Sequence, residues 1–328
     1  MILILSQETF DPTTDEVINW ISYLGRDYFR LNGSDPLKKC QFSARFTSSG
    51  NTHLKIKTSD KSISSHQIKA VWFWRWLQDR DIAKNLDSKK DSDPLSPLFP
   101  YITSELWGAG SSLAPILKKA YWLGSFRESL NKLSVLKEAS LAGLHIPETI
   151  ITNSKKELKT FKSQQKSIII KSIAQAHSIQ RKSAIFMTYT TELTDEKIDA
   201  LSDHIFPCLA QKNIQKQYEI RTFYLEGKCY SMAIFSQLQT GSQTDFRVYG
   251  GIPPRTSCYK LPHAMEKKIK KLMQKMGLQI GSLDFLKDTN GKYYFLEINP
   301  VGQFGMTSDS CNYSLDKKIA QLLITHDK

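Results

Sequence analysis

One stretch decides how the last third of this chain folds: Phe295-Leu-Glu-Ile-Asn-Pro300, together with Ser282-Leu-Asp-Phe285 upstream. In a strand, residues two apart face the same side, so Glu297 and Asn299 should point together. The segment between the two stretches, Asp288-Thr-Asn-Gly291, is a turn signal. The sequence therefore predicts a β-hairpin that carries polar side chains on one face.

This hairpin would bring Asp284, thirteen residues before Glu297, close to Glu297 and Asn299. Three hard oxygen ligands on one sheet face suit Mg²⁺, which typically binds one or two carboxylates while substrate phosphates complete its shell. We therefore predict a metal site of Asp284, Glu297 and Asn299. The spacing also fits a simpler arrangement, in which Asp284 is solvated at a strand end and the other two lie on an exposed face.

The bulk composition is ordinary for a globular chain of 328 residues, 40% of them hydrophobic, which is long enough for two or three lobes. No apolar stretch approaches the length that spans a bilayer, and Met1-Ile-Leu-Ile-Leu-Ser6 lacks the features of a signal peptide. The five cysteines are scattered, odd in number and without a CxxC pair. We therefore predict a cytoplasmic protein without a disulfide framework or a zinc site.

The net charge is +13, from 45 Lys and Arg against 32 Asp and Glu. This charge favours an acidic partner, such as nucleic acid, nucleotide phosphates or an acidic peptide. The lysines are dispersed, and runs such as Glu266-Lys-Lys-Ile-Lys-Lys271 more often form a solvated helix face. The sequence has none of the usual nucleic-acid-binding signatures, so we expect neither a nucleic-acid nor a membrane partner.

The pattern of apolar residues predicts an α/β fold class with α+β lobes, divided into three parts. These are an N-terminal α/β domain (1–126), a small central subdomain (127–206) and a C-terminal antiparallel-sheet subdomain (207–328). In the first part we predict strands at Met1–Leu5, Asn51–Thr58 and Ala70–Trp74, a helix at Thr14–Tyr23 with Thr14 as N-cap, and a loop at Asp87–Pro100. In the second we predict helices at Ser129–Gly143, Lys155–Lys162 and Asp195–Phe206, strands at Ile146–Thr152 and Ser167–Lys171, and a turn and one strand within 172–190. In the third we predict strands at Gln215–Leu225, Lys228–Phe235, Gly281–Leu286 and Lys292–Asn299, and helices at His263–Met276 and Asp316–Thr325.

The order of parts over residues 127–328 carries a family resemblance. Asn131-Lys132 opens a helix that leads into Gly143-Leu-His-Ile-Pro-Glu-Thr149, and Lys171 ends the strand Ile168–Lys171. The pattern is similar to the Asp-Lys…Gly-x-x-x-Pro-x-Thr pattern of peptide-ligating enzymes of the ATP-grasp superfamily. Lys132 and Lys171 then look like the two nucleotide lysines, each of which can neutralise a phosphate as a point charge. Taken alone, a lysine at a strand end is usually just exposed.

The resemblance extends to the nucleotide and metal sites. It implies an adenine-binding hinge at Leu209-Ala-Gln-Lys-Asn-Ile214, and three residues of this hinge would lie beside the base: Gln211, Lys212 and Ile214. Glu219 would bind the ribose and Arg221 would face the phosphates. The predicted metal site would hold two Mg²⁺ ions beside ATP. Considered alone, Glu219 and Arg221 are as typical of an exposed cross-strand ion pair.

The segment after Lys171 departs from the family pattern. Many ATP-grasp enzymes cover the phosphates there with a glycine-rich loop, but this chain has Ser172-Ile-Ala-Gln-Ala-His-Ser178 and no glycine between positions 144 and 226. Non-glycine residues disfavour positive φ and a close backbone approach. Either side chains replace the backbone donors, or the segment becomes ordered only with ligand. The candidate donors are Ser172, Gln175, His177 and Ser178.

Three further motifs narrow the resemblance: Val71-Trp-Phe-Trp-Arg-Trp76, Thr244-Asp-Phe-Arg247 before Tyr249-Gly-Gly251, and Asn299-Pro-Val-Gly-Gln-Phe304. Together they look like the maturases of graspetides, which are ribosomal peptides macrocyclised through side-chain esters or amides, and most closely the grasp-with-spasm branch. The resemblance implies that ATP phosphorylates an Asp or Glu side chain of a precursor peptide. A Thr, Ser or Lys side chain then closes the ring. The leader segment of the precursor would bind elsewhere and raise the local concentration of its acidic core.

By the same resemblance, Arg221 and Arg247 would be catalytic, with Arg247 stabilising charge on the acyl phosphate or tetrahedral intermediate. The alternative for Arg247 is a surface ion pair with Asp245. The tryptophans at 72, 74 and 76 alternate along a predicted strand, which is typical of core packing with Arg75 exposed. As a functional alternative, Arg75 would point toward the acidic core peptide.

Three other functions stay open. A ligase of the same superfamily would add free amino acids to a protein or peptide terminus, and a kinase-like enzyme would release phosphopeptide. A non-catalytic peptide- or nucleic-acid-binding protein would retain only the fold, although carboxylates clustered on one face without use would repel one another. A homodimer also stays open.

Overall fold

The computed structural model describes residues 1–8, 11–77, 82, 96–126, 130–174, 178–181, 184–187, 189–238 and 253–328. Two compact units divide the chain. The first comprises Met1–Glu128, Gln303–Ser308 and Ser314–Lys328, and the second comprises Ser129–Gly302 and Asp309–Tyr313. Within the described ranges, no helix is long and apolar enough to cross a membrane.

The first unit contains seven described strands in two sheets. The strands are β1 (Ile2–Ser6), β2 (Tyr28–Asn32), β3 (Gln41–Phe46), β4 (Thr52–Lys57), β5 (Ser62–Ser64), β6 (Ala70–Phe73) and β7 (Tyr121–Leu123). A parallel sheet has the order β2-β1-β6-β7, and an antiparallel sheet has the order β3-β4-β5. The described helices are Pro12–Tyr23, Asp35–Lys38, Phe99–Ser111, Leu113–Ile116 and Leu315–His326, with a 3₁₀ turn at Ser96–Leu98. A further helix, Gly305–Ser310, belongs to the first unit up to Ser308, and its last two residues are assigned to the second unit.

The parallel sheet follows from the apolar run at the start of the chain. Ile2–Leu5 is fully buried, as expected for a strand covered on both faces. The helix that follows begins at Pro12, so the prediction that Thr14 is its N-cap is wrong. Proline suits the first helical turn, and Asp11 takes the N-cap position while its carboxylate accepts hydrogen bonds from the hydroxyls of Thr13 and Thr14, both at 2.6 Å.

The tryptophan cluster belongs to the core of the first unit. Trp72, Trp74 and Trp76 are 0%, 0% and 2% exposed, which confirms the prediction of core packing. The strand ends at Phe73, one residue earlier than predicted. Beyond it the backbone is irregular, because Arg75 and Leu77 have φ of +54° and +57°. The proposed contact of Arg75 with a peptide stays a prediction.

The second unit contains eleven described strands in three sheets. The strands are β8 (Thr149–Ser154), β9 (Ile168–Lys171), β10 (Ser178–Arg181), β11 (Ala184–Met187), β12 (Thr191–Glu192), β13 (His204–Lys212), β14 (Lys216–Leu225), β15 (Lys228–Ile234), β16 (Thr256–Tyr259), β17 (Ile280–Asp288) and β18 (Tyr293–Asn299). The sheet orders are β12-β9-β13-β8, β16-β15-β14-β17-β18 and the hairpin β10-β11, all antiparallel. The described helices are Lys132–Leu141, Lys155–Gln165, Asp195–Asp199 and His263–Met276, with a 3₁₀ turn at Ser236–Leu238.

Two sequence predictions in the second unit are wrong. The helix predicted at Asp195–Phe206 ends at Asp199, and His204 instead pairs with Ser154 in the sheet. Phe206 precedes Pro207, and the residue before a proline disfavours helical backbone. The segment 172–190 holds two strands where one was expected.

Each of the two larger sheets of the second unit has one face covered by helices. Apolar residues at alternate positions of the five-stranded sheet, such as Leu283 and Phe285, pack with residues of the helices Lys132–Leu141 and His263–Met276. The intervening residues face the other side. The predicted α/β fold class, with an antiparallel sheet in the C-terminal third, is confirmed. The division into three parts stays a prediction, and β13 crosses its boundary at residue 206.

Candidate active site

Three neighbouring strands place three charged residues in one row. Arg221 on β14 is paired with Asp284 on β17, and Asp284 is paired with Glu297 on β18. The Arg221 guanidinium Nη1 lies 3.4 Å from each carboxylate oxygen of Asp284. The row lies on the sheet face opposite the helices Lys132–Leu141 and His263–Met276. On this face Met232, which is paired with Arg221, is buried in a cluster with Cys311.

The predicted hairpin and the shared face of its polar residues are confirmed. Asn299 is exposed, lies two residues beyond Glu297 and is paired with Ser282. Its Oδ1 accepts a hydrogen bond from the backbone N–H of Val301 at 3.1 Å. Asp284 lies in the middle of β17 and contacts Arg221, so it is not solvated at a strand end. Glu297 is partly exposed and Asn299 is exposed, so an exposed face without metal stays open for these two residues.

The donor set fits a magnesium site that is completed by phosphate. Two carboxylates and one amide oxygen are hard ligands, and Mg²⁺ keeps positions for substrate oxygens and water. In the described part of the chain, no group of three or more His, Cys, Asp and Glu side chains could hold a metal ion by itself. The metal role of Asp284, Glu297 and Asn299 stays a prediction.

Glu219, the predicted ribose ligand, has two partners that the sequence did not indicate. Its Oε1 accepts hydrogen bonds from Lys216 Nζ at 2.5 Å and from Ser236 Oγ at 2.9 Å. A register shift between Lys216 and Tyr218 allows this contact, because residues three apart in a regular strand face opposite sides. Glu219 therefore pairs with Lys216, whereas Arg221 pairs with Asp284.

The two predicted nucleotide lysines approach consecutive residues. Lys132 begins its helix after Asn131, whose side chain caps the helix by accepting from the Ser134 N–H at 3.0 Å. The Lys132 ammonium donates to the backbone carbonyl of Ser172 at 2.7 Å, one residue after Lys171. The fold thus brings both lysines to the start of the segment that lacks glycine.

Lys171 lies on the face of the four-stranded sheet opposite the helix Lys155–Gln165. Its Nζ donates to Gln211 Oε1 at 2.9 Å, and Gln211 Nε2 donates to Thr149 Oγ1 at 2.9 Å. The family resemblance predicts that Gln211 lies beside the adenine, and it predicts no role for Thr149. In the structure Gln211 is 2% exposed, and its side chain contacts Lys171.

The remaining hinge residues have backbone contacts that fix their position. The N–H of Lys212 donates to the carbonyl of Glu148 at 2.8 Å, and the N–H of Asn213 donates to the carbonyl of Ser167 at 2.9 Å. Ile214 is 8% exposed. The adenine contacts predicted for Lys212 and Ile214 stay predictions.

Several predicted residues lie outside the described residues: Gln175, His177, Asp245 and Arg247, together with the motif Tyr249–Gly251 and the side chain of Ser178. Their roles stay predictions from the sequence.

Two family profiles match the chain. Residues 1–93 match the MvdD pre-ATP grasp domain, and residues 128–323 match the RimK-like ATP-grasp domain. The second match covers more than half of the chain, and the protein therefore belongs to the RimK-like ATP-grasp family. A comparison with curated protein sequences gave no match.

Solved structures confirm the predicted ATP-grasp fold. The chain is similar to a Chryseobacterium gregarium RiPP-associated ATP-grasp ligase in complex with ADP and a leader and core peptide, with a TM-score of 0.82, 23% identity and coverage of 99% of this chain and 96% of that one. It is also similar to the macrocyclase MdnC of Microcystis aeruginosa MRC bound to the precursor peptide MdnA, with a TM-score of 0.81, 23% identity and 99% coverage of both chains. For the ATP-grasp ligase PsnB, complexed with minimal precursor, Mg and ADP, the TM-score is 0.74 at 15% identity, with 100% of this chain and 97% of that chain covered.

Proposed function

We propose that this protein is an ATP-dependent peptide macrocyclase. It phosphorylates Asp or Glu side chains of a ribosomal precursor peptide and joins them to Thr, Ser or Lys side chains of the same peptide as esters or amides. The single observation that carries the proposal is the row of Arg221, Asp284 and Glu297 on one face of the five-stranded sheet of an ATP-grasp fold. Three proteins of the same fold that are described as complexes with precursor peptides support it.

The residues present fit ATP and Mg²⁺. Asp284, Glu297 and Asn299 would hold the metal, whose charge neutralises the transferred phosphate. Lys132 and Lys171 would contact the phosphates from a neighbouring sheet and helix. Arg221, whose guanidinium already contacts Asp284, would add a fixed positive charge beside the metal ligands.

The reaction consists of two displacements. A peptide carboxylate oxygen attacks the γ-phosphorus of ATP, which releases ADP and leaves an acyl phosphate. A hydroxyl or amine of the same peptide then attacks the acyl carbon and loses its proton, and inorganic phosphate leaves. Arg247 would stabilise the negative charge that develops in this second step. The net change in the peptide is the loss of one water for each ring.

The charge and the cysteines fit this setting. A net charge of +13 attracts both ATP and an acidic core peptide. All five cysteines are free thiols, so we place the protein in the reducing cytoplasm.

A second candidate is a ligase that consumes free amino acids, which the RimK-like family match favours. Release of ADP separates the two, measured with Mg²⁺ and ATP in three mixtures: precursor peptide alone, free amino acids alone, and both together. The precursor would be the short peptide encoded beside this gene, with clustered Thr or Ser and Asp or Glu. The macrocyclase predicts that the peptide alone suffices, whereas dependence on a free amino acid would establish the ligase. No release in any mixture would leave a non-catalytic binding protein.

A further inference from the structure

We propose that Gln211 and Thr149 are positioning residues, which hold the Lys171 ammonium in the orientation that binds a nucleotide phosphate. This inference rests on the proposed function only in taking ATP as the ligand of Lys171. It assigns a purpose to the motif Ile146-Pro-Glu-Thr149, which the proposed chemistry does not use.

The three side chains form a chain of hydrogen bonds across three neighbouring strands. Lys171 is on β9, Gln211 on β13 and Thr149 on β8, and Gln211 and Thr149 are paired residues in the sheet. The Lys171–Gln211 and Gln211–Thr149 bonds both measure 2.9 Å. The Thr149 hydroxyl in turn donates to the backbone carbonyl of Pro147 at 2.8 Å.

The donors and acceptors of these side chains allow only one direction for this series of hydrogen bonds. An ammonium can only donate, so the amide oxygen of Gln211 must face Lys171. The amide nitrogen then faces Thr149, whose oxygen accepts from it and whose proton goes to Pro147. The backbone carbonyl at one end therefore fixes the amide orientation, and the amide fixes the position of the lysine at the other end.

Such an arrangement matters because lysine is a flexible ligand. Its ammonium sits on a four-carbon stem with several rotamers, and ordering it during binding costs affinity. Gln211 is 2% exposed and cannot itself move far, so it restricts where the ammonium lies before nucleotide arrives.

The amide is also the suitable partner electrostatically. A carboxylate at position 211 would make a stronger bond to Lys171, but it would offset the positive charge that attracts phosphate. A neutral amide positions the ammonium and leaves its charge available. This predicts that Gln211→Glu weakens nucleotide binding even though it retains an acceptor for Lys171.

The test is titration of ATP with Mg²⁺ into the full-length protein without peptide, using calorimetry, with thermal melts for each variant. Thr149→Val has nearly the same shape and cannot accept or donate, so we expect a Kd about fivefold higher. Thr149→Ser should restore most of the lost affinity. Thr191→Val, an exposed position on β12 of the same sheet, should leave the Kd unchanged.

A double-mutant cycle with Lys171→Met distinguishes positioning from general stabilisation of the sheet. If Thr149 acts through the lysine, Thr149→Val should have no further effect on the Kd once Lys171 is gone. An equal loss in both backgrounds, or no loss in either, would overturn the inference. Gln211→Glu decides the matter if Thr149→Val fails to fold: an unchanged or lower Kd for ATP would contradict the inference.

The outcomes also separate this inference from the proposed function. If wild-type protein binds ATP and Lys171→Met weakens binding, the nucleotide site stands whatever Thr149 does. If wild-type protein does not bind ATP at all, both the proposed function and the positioning role are overturned.

Discussion

Asp284 and Glu297 are directly paired across β17 and β18, and a register shift immediately after Asp284 produces this pairing. Phe285 pairs with Phe295, so a regular ladder would place Asp284 opposite Leu296. The extra residue moves Glu297 into that position and onto the face of Asp284. Two carboxylates directly opposite one another repel unless a cation compensates them. The Arg221 guanidinium contacts Asp284, and a metal ion bound by Asp284 and Glu297 would compensate both carboxylates.

The first prediction concerns this metal site. Glu297→Gln and Asn299→Ala should each abolish Mg²⁺-dependent ATP turnover while leaving the thermal melt close to that of the wild type. Glu157→Gln, at an exposed position on the helix Lys155–Gln165, is the matched control and should retain full turnover. Wild-type turnover in both site variants at limiting Mg²⁺ would show that these residues are not ligands.

The second prediction concerns the two lysines. Replacing Lys132 or Lys171 with Met removes a charge-assisted contact with phosphate worth about 1.5–3 kcal/mol, so nucleotide affinity should fall about tenfold or more. Titration of ADP or ATP measures the effect. Unchanged affinity in Lys171→Met would remove this residue from the nucleotide site.

The third prediction concerns Gly302, which follows the predicted metal ligands Glu297 and Asn299. A Cβ at this position would lie 2.6 Å from the Cβ of Ser282 and 3.1 Å from the Cβ of Asn299. Gly302→Ala should therefore displace Asn299 and raise the Mg²⁺ concentration for half-maximal turnover about tenfold, at a stability cost of about 1–3 kcal/mol.

Gly108→Ala is the control for this substitution, since a Cβ there meets no atom within 4 Å and alanine favours its helix. It should preserve turnover and stability. An Mg²⁺ dependence in Gly302→Ala equal to that of the wild type would show that Asn299 tolerates displacement or does not bind the metal.

The fourth prediction concerns the cysteines. Burial raises the pKa of Cys229 to about 12 and, together with the neighbouring Cys258, that of Cys311 to about 12. The thiolate is the reactive form, so both thiols are protonated and slow to react at pH 8, and their rate should rise as pH increases toward the pKa. Alkylation of native protein at pH 8 followed by peptide mapping should label the exposed Cys258 first. Equally fast labelling of Cys229 would contradict its burial.

The features that depend on neighbouring residues are the ones best predicted from the sequence. The helix His263–Met276 was predicted to the residue, because its apolar positions repeat at helical spacing and Gly277 ends it with a left-handed residue. The shared face of Glu297 and Asn299 followed from strand alternation in the same way.

Features that depend on distant residues were missed. Lys171 and Gln211 are forty residues apart in sequence, and Gln211 and Thr149 are sixty-two apart. Neither hydrogen bond therefore has a local sequence signature. The contact of Lys216 with Glu219 depends on a register shift that alternation does not predict. The length of β13 was missed because its pairing with β8 outweighs the local helical pattern.

The most direct test of the account is the intact mass of the precursor peptide after incubation with enzyme, ATP and Mg²⁺. Ring closure should reduce the peptide mass by about 18 Da for each ring, and Arg247→Ala should bind nucleotide nearly normally yet form no such product, since Arg247 is assigned to acyl transfer. A gain of about 80 Da would identify a phosphorylated product, and a gain equal to the residue mass of an amino acid would identify a ligated amino acid. A mass increase of the cognate peptide would contradict the macrocyclase function while leaving the ATP-grasp fold in place. Water loss at the wild-type rate in Arg247→Ala would remove Arg247 from the reaction and favour its ion pair with Asp245.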